Sequence, residues 1–185
     1  MQDAALATRK WIDSVVIDLE LCPFAAAVVD ADQLRIVCSE ARDARSLAAD
    51  LDDEIALLLR TPVEKVETTL LVHPKALLGF GEYNDFLDTA DALLVERGCE
   101  GVLQLASFHP NYQFEGEAID DAANWTNRSP FPMLHLLREA SIEAAIVNFG
   151  DTTSIPERNT ARLRALGSDE ARARLAACFG IDENA

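Results

Sequence analysis

The chain has 185 residues, 49% of them hydrophobic, with 32 acidic against 16 basic side chains and a formal net charge of −16. That apolar content excludes wholesale disorder, and the length suits one globular domain over residues 1–180 with 181–185 as a flexible tail. Arginines scattered among carboxylates make no basic stripe, which argues against nucleic acid or an anionic membrane surface as a partner.

The opening segment MQDAALATRKW lacks the charged-then-apolar layout of a secretory signal, and no apolar run is long enough to span a bilayer. A cytoplasmic location is expected. The first helical pattern runs from about Asp3 to Leu19, with Trp11, Ile12, Val15, Val16 and Leu19 on one side. Pro23 restricts the backbone of Cys22 and ends it. The run Cys22-Pro23-Phe24-Ala25 resembles the redox turn of some glutathione-transferase-like proteins, where a cysteine after a strand opens a helix. Here a helical pattern precedes the cysteine, and a helix N-terminus is what lowers a thiol pKa, so a reactive Cys22 stands behind other readings. Cys22, Cys38, Cys99 and Cys178 form no CxxC pair, which argues against a zinc ribbon or a thioredoxin-type dithiol and predicts free thiols.

A short strand is expected at Leu34 to Cys38, then an amphipathic helix with Leu47, Ala48, Leu51, Ile55, Leu58 and Leu59 on one face, closed by Pro62. Glu67 to His73 is β-branched and apolar and reads as a buried strand. A helix follows from about Asn84 to Arg97, stopped by Gly98, and then a third strand from Gly101 to His109. Residues from Pro110 to Ser129 are polar and without period. A helix is expected to begin near Pro130 and run through LHLLREASIEAA, followed by two more around Pro156–Leu166 and Asp169–Phe179. The fold class is α/β, a small central sheet of about three strands covered by helices with a helical C-terminal third, or α+β if a strand runs antiparallel.

Two strands end in the same dipeptide, His73-Pro74 and His109-Pro110, with a helix between them. A crossover of that kind makes the strands parallel and brings both histidines to the carboxyl edge of the sheet, where open α/β sheets bind ligands. The long segment after His109 carries Tyr112, Phe114 and Trp125 as aromatic anchors beside Asn124, Asn127 and Arg128, a composition suited to a substrate-binding lid. The alternative, second to it, is a structural loop whose polar groups satisfy its own backbone. Ser129-Pro130-Phe131-Pro132 reads as a helix start, with Arg128 placed to attract an anion and the prolines removing N–H donors. On that helix His135 and Glu139 lie four apart on the face opposite the main apolar stripe.

His73, His109 and His135 are the three histidines of the chain, and together they have the side chains to hold one divalent transition metal. No HxH or HExxH spacing supports that set, so the cofactor is left open. Without a metal, His109 is the foremost acid/base candidate, with His73 and Glu139 beside it. Arg128, Asn127, Asn124, Tyr112 and Phe114 are the substrate-binding candidates.

The blocks LCPFA, ETTLLVHP, YNDFLD, SFHPNYQFEG and TNRSPFPMLHLLREAS together resemble an uncharacterised bacterial family, the domain of unknown function numbered fourteen-fifteen, over nearly the whole chain. The resemblance implies a bacterial, cytosolic protein and carries no activity. The residues themselves point first to an enzyme acting on a small polar or anionic substrate, its reaction class unassigned. The alternatives are a non-catalytic small-molecule-binding or regulatory module, and a thiol redox protein using Cys22. The oligomeric state is open.

Overall fold

The computed structural model describes residues 2–149 and 154–180, with side chains for 2–147 and 154–180. The expected C-terminal tail, 181–185, lies outside the described residues. Helix α1 (Gln2–Trp11) widens into a π turn (Ile12–Ile17), and a six-residue helix α2 (Ala25–Asp30) leads into strand β1 (Leu34–Cys38). Helix α3 (Ala44–Arg60) crosses back to strand β2 (Thr68–Val72), and helix α4 (Phe80–Glu96) leads to strand β3 (Leu103–Phe108). A 3-10 turn (Ala122–Thr126) precedes strand β4 (Met133–Arg138), and helices α5 (Glu139–Phe149), α6 (Ile155–Leu166) and α7 (Ser168–Ala177) complete the described chain.

The local chemistry explains most of these elements. The Asp43 carboxylate caps α3 by accepting the Ser46 N–H at 2.8 Å. Leu47, Leu51, Ile55 and Leu58 recur at helical spacing on α3 and are all fully buried. Strand β2 is buried at every position because helices cover both faces of the sheet.

The sheet order is β1-β2-β4-β3. β1 and β2 are parallel, joined through α3, while β4 runs antiparallel to both β2 and β3. The fold is therefore α/β with a mixed sheet of four strands, one more than the periodicity predicts. The additional strand is Met133–Arg138, where a helix was expected, and the helix starts only at Glu139. Two causes combine. Pro130 and Pro132 push Ser129 and Phe131 toward extended backbone. The facing edges of β2 and β3 then offer rows of N–H and C=O groups that an inserted strand satisfies.

Pleating sends alternate residues to two cores. On one face Val37, Leu71, Leu103, Leu105, Leu134 and Leu136 pack under α3 and α4. On the other, Ile36, Leu70, Val72, Phe108 and Met133 pack against Trp11, Val15, Leu163 and Ala171 of the N- and C-terminal helices. No described helix is long and apolar enough to cross a membrane.

One side chain enters the sheet's own hydrogen bonding. The Tyr83 hydroxyl, from α4, accepts the Phe108 N–H at 3.0 Å and donates to the Met133 carbonyl at 2.8 Å. Phe108 and Met133 are register partners, so the phenol oxygen stands as a rung between β3 and β4. Burial pushes its pKa well above the usual phenol range, which keeps it a donor. Tyr83→Phe removes both bonds in a buried place and is expected to lower stability by about 1–3 kcal/mol. In urea titrations this appears as a lower midpoint at unchanged slope. An unshifted midpoint would show that β3 and β4 close the rung directly.

Candidate functional site

Because β2 and β3 run in the same direction, His73 and His109, each following the last residue of its strand, stand at one edge of the sheet. They are not on neighbouring strands, since β4 lies between. Both rings pack on Tyr83, with centroids 5.7 Å away for His73 and 5.1 Å for His109, and both residues are fully buried. His73 Nδ1 donates to the Ala76 carbonyl at 3.0 Å, leaving Nε2 without a partner. His109 Nε2 donates to the Leu77 carbonyl at 3.3 Å, and its Nδ1 accepts the Asn111 N–H at 3.0 Å. Together they pin the turn after β2, in which Leu77 adopts a left-handed backbone with φ 52°.

The polar residues of the segment after His109 also bind backbone. Asn124, fully buried, accepts the Phe114 N–H at 2.9 Å and donates to Ala118 O at 2.8 Å. Asn127 donates to Ser107 O at 3.0 Å. Arg128 donates to Tyr112 O and Ile119 O at 3.1 and 2.7 Å and lies 4.8 Å over the Trp125 ring. Tyr112 packs between Phe80, tilted at 5.2 Å, and Phe114, edge-on at 5.0 Å. The groups expected to orient a substrate are those that give this loop its shape.

Other expectations are corrected by the fourth strand. Ser129 is no helix cap, for its hydroxyl donates to Phe131 O at 2.7 Å and extended chain follows, so no helix N-terminus awaits an anion there. His135 sits on β4, and the pleat turns it to the sheet face opposite the Tyr83 cluster. Glu139 opens α5 at the far end of β4, six residues from Met133 and so roughly 20 Å along the strand. His73, His109 and His135 are thus not gathered around one point. Among the described residues no group of three or more His, Cys, Asp or Glu side chains is placed to hold a metal.

His135 instead lines an apolar cavity of about 150 Å³ between the second face of the sheet, the π turn, α2 and α5. Trp11, Phe24, Val28, Phe108 and Ile142 supply much of its wall. Cys22 lines it as well. A short helix does open just after Cys22, but burial pushes the thiol pKa up, and the Phe24 and Ala25 N–H groups offset this only in part. The Thr68 hydroxyl meets His135 Nε2 at 2.6 Å and donates to Leu136 O at 2.6 Å. The sequence does not announce this cavity, because the leucine-rich run around His135 suits a helix as well as a strand and α2 is too short to show a period. A second, polar recess of about 580 Å³ lies at the end of β1. There the Ser39 hydroxyl is occupied, donating to Asp50 and accepting the Ala41 N–H at 2.9 Å.

Burial pushes His73 and His135 down to about 4, from an ordinary 6.5, and lowers His109 in the same direction. The unfolded chain therefore takes up protons near pH 6.5 that the folded chain resists until about pH 4. Stability is fully present above pH 6.5 and is lost as pH falls through that window. For fully buried His73 the loss is on the order of 3 kcal/mol. Denaturation midpoints measured from pH 7 to pH 4 should fall steeply in wild type and less steeply in His73→Gln. Parallel profiles would mean that His73 titrates normally in the fold.

No curated protein matches the chain, and no solved structure does. A family model described as "Protein of unknown function (DUF1415)" matches residues 3–173, which takes in the whole sheet, the Tyr83 cluster and the walls of the cavity. The chain belongs to that family.

Proposed function

We propose that this is a small-molecule-binding protein whose ligand occupies the cavity between the sheet, the π turn, α2 and α5. The observation that carries the reading is the state of the two covering helices. α2 and α5 are apolar in sequence, yet none of their described side chains is buried. Their inner residues, among them Val28, Ser141, Ile142 and Ala145, face space rather than packed atoms. The cavity is apolar and partly open, and an apolar ligand seated in it would take the inner faces of both helices out of water.

A catalytic role for His73 and His109 has less support, since both rings are buried and three of their four nitrogens face backbone groups or the turn they hold. A thiolate at Cys22 is disfavoured by its burial. We further propose a cytoplasmic setting in a bacterium, which agrees with four free and well-separated cysteines.

Toluene serves as a minimal apolar probe. It is expected to raise the thermal midpoint of wild type in a saturable way, by the equivalent of about 2.7 kcal/mol at a hundredfold excess over its Kd. Ala145→Leu, which fills the cavity from α5, should keep the fold and lose most of that response. A wild-type midpoint indifferent both to toluene and to its hydroxyl-bearing counterpart phenol would sink the proposal.

A further inference from the structure

The hydrogen bonds around His135 fix where its proton sits. The Thr68 hydroxyl has one hydrogen and lies 2.6 Å from two groups, the Leu136 carbonyl and His135 Nε2. The carbonyl can only accept. Both contacts are therefore satisfied only if Thr68 donates to Leu136 O and accepts from His135 Nε2–H. The imidazole, kept neutral by its burial, then presents a bare lone pair at Nδ1. No described residue donates to that nitrogen, and the ring forms part of the cavity wall.

Size sets a second limit. An apolar cavity of about 150 Å³ accommodates a benzene ring and little more. Charge sets a third. Glu67 lines the cavity, the chain is strongly acidic, and a terminal nitrogen of Arg138 already donates to the carbonyls of Leu58, Thr61 and Val66. An anionic ligand would bring acceptors to Nδ1 beside the Glu67 carboxylate, and the comparison with benzoate below asks whether the unpartnered Nε–H of Arg138 outweighs that. A wholly apolar ligand would fill the space but leave Nδ1 sealed away without a donor.

Resting on the reading of the cavity as the ligand site, we propose that its ligand is a neutral phenol-class molecule, a single ring bearing one hydrogen-bond donor that is received by Nδ1 of His135. Trp11, Phe24 and Phe108 supply the aromatic and apolar surface for the ring. Thr68 acts as a positioning residue, holding the imidazole in the tautomer that accepts.

The test compares phenol, toluene and benzoate by calorimetry on wild type and His135→Leu. Phenol should bind wild type, lose at least tenfold in affinity in the variant, and outcompete benzoate, whereas toluene should bind the variant as well as or better than wild type. Equal losses for phenol and toluene, no loss for phenol, or benzoate binding as tightly as phenol would each overturn the donor assignment while leaving the cavity as a binding site. If neither phenol nor toluene binds wild type, the cavity reading itself falls and this inference with it. Should His135→Leu not fold, nitrogen-15 spectra of the wild-type imidazole decide. The Nδ1 resonance should move with phenol and stay with toluene, and a stationary Nδ1 at saturating phenol refutes the contact.

Discussion

The pairing of β4 with β2 on one side and β3 on the other governs everything else in this molecule. β2 and β3 share a direction and are joined through α4, but neither satisfies the backbone of the other. Once β4 enters between them, the four strands make one continuous surface with a helical layer on each side, and two separate cores form. The insertion also dictates which side chains meet. It keeps His73 and His109 on the Tyr83 side at one edge, turns His135 to the opposite face, and carries Glu139 to the far end. The Tyr83 hydroxyl joins the same construction by standing as a rung between β3 and β4, which ties α4 to the strand that completes the sheet.

How much of this was legible in the sequence follows from what each stretch had to declare. α3, α4 and the first helix announce themselves because their apolar residues recur at helical spacing over many turns. β1 and β2 are β-branched runs bounded by breakers, and the repeated His-Pro pair correctly places both histidines at one edge. Met133–Arg138 declared nothing of the kind. Its leucines suit a helix or a buried strand, and the deciding factor, two open strand edges elsewhere in the chain, is non-local. The signal that was present is Pro130 and Pro132, which favour extended chain over a helix start.

The candidate site was less readable than the fold for a related reason. Asn124, Asn127 and Arg128 have the same donors whether they face a ligand or their own loop, and only the folded backbone shows that they face the loop. The burial of His73 and His109 was hidden likewise, since the aromatic residue that covers them comes from α4. A cavity has no sequence signature at all. It arises where the short helix α2 and the thinly packed α5 span a sheet face that the longer helices leave uncovered.

The π turn at Ile12–Ile17 has a bearing on how such a cavity changes over generations. An α-helix advances by about 100° per residue, so a helix that accommodates one extra residue shifts the phase of all that follows. Here Trp11, Ile12 and Val16 line the cavity, and Trp11 and Ile12 also belong to the core that holds Val15 and Leu19. The breadth of the pocket is thus written partly in helical phase. A single-codon deletion within the turn would rotate the wall and redraw the pocket while the sheet, and with it His135 and Thr68, stayed in place. Insertion or deletion in the first helix would therefore alter the shape of the cavity by a route separate from the exchange of lining side chains.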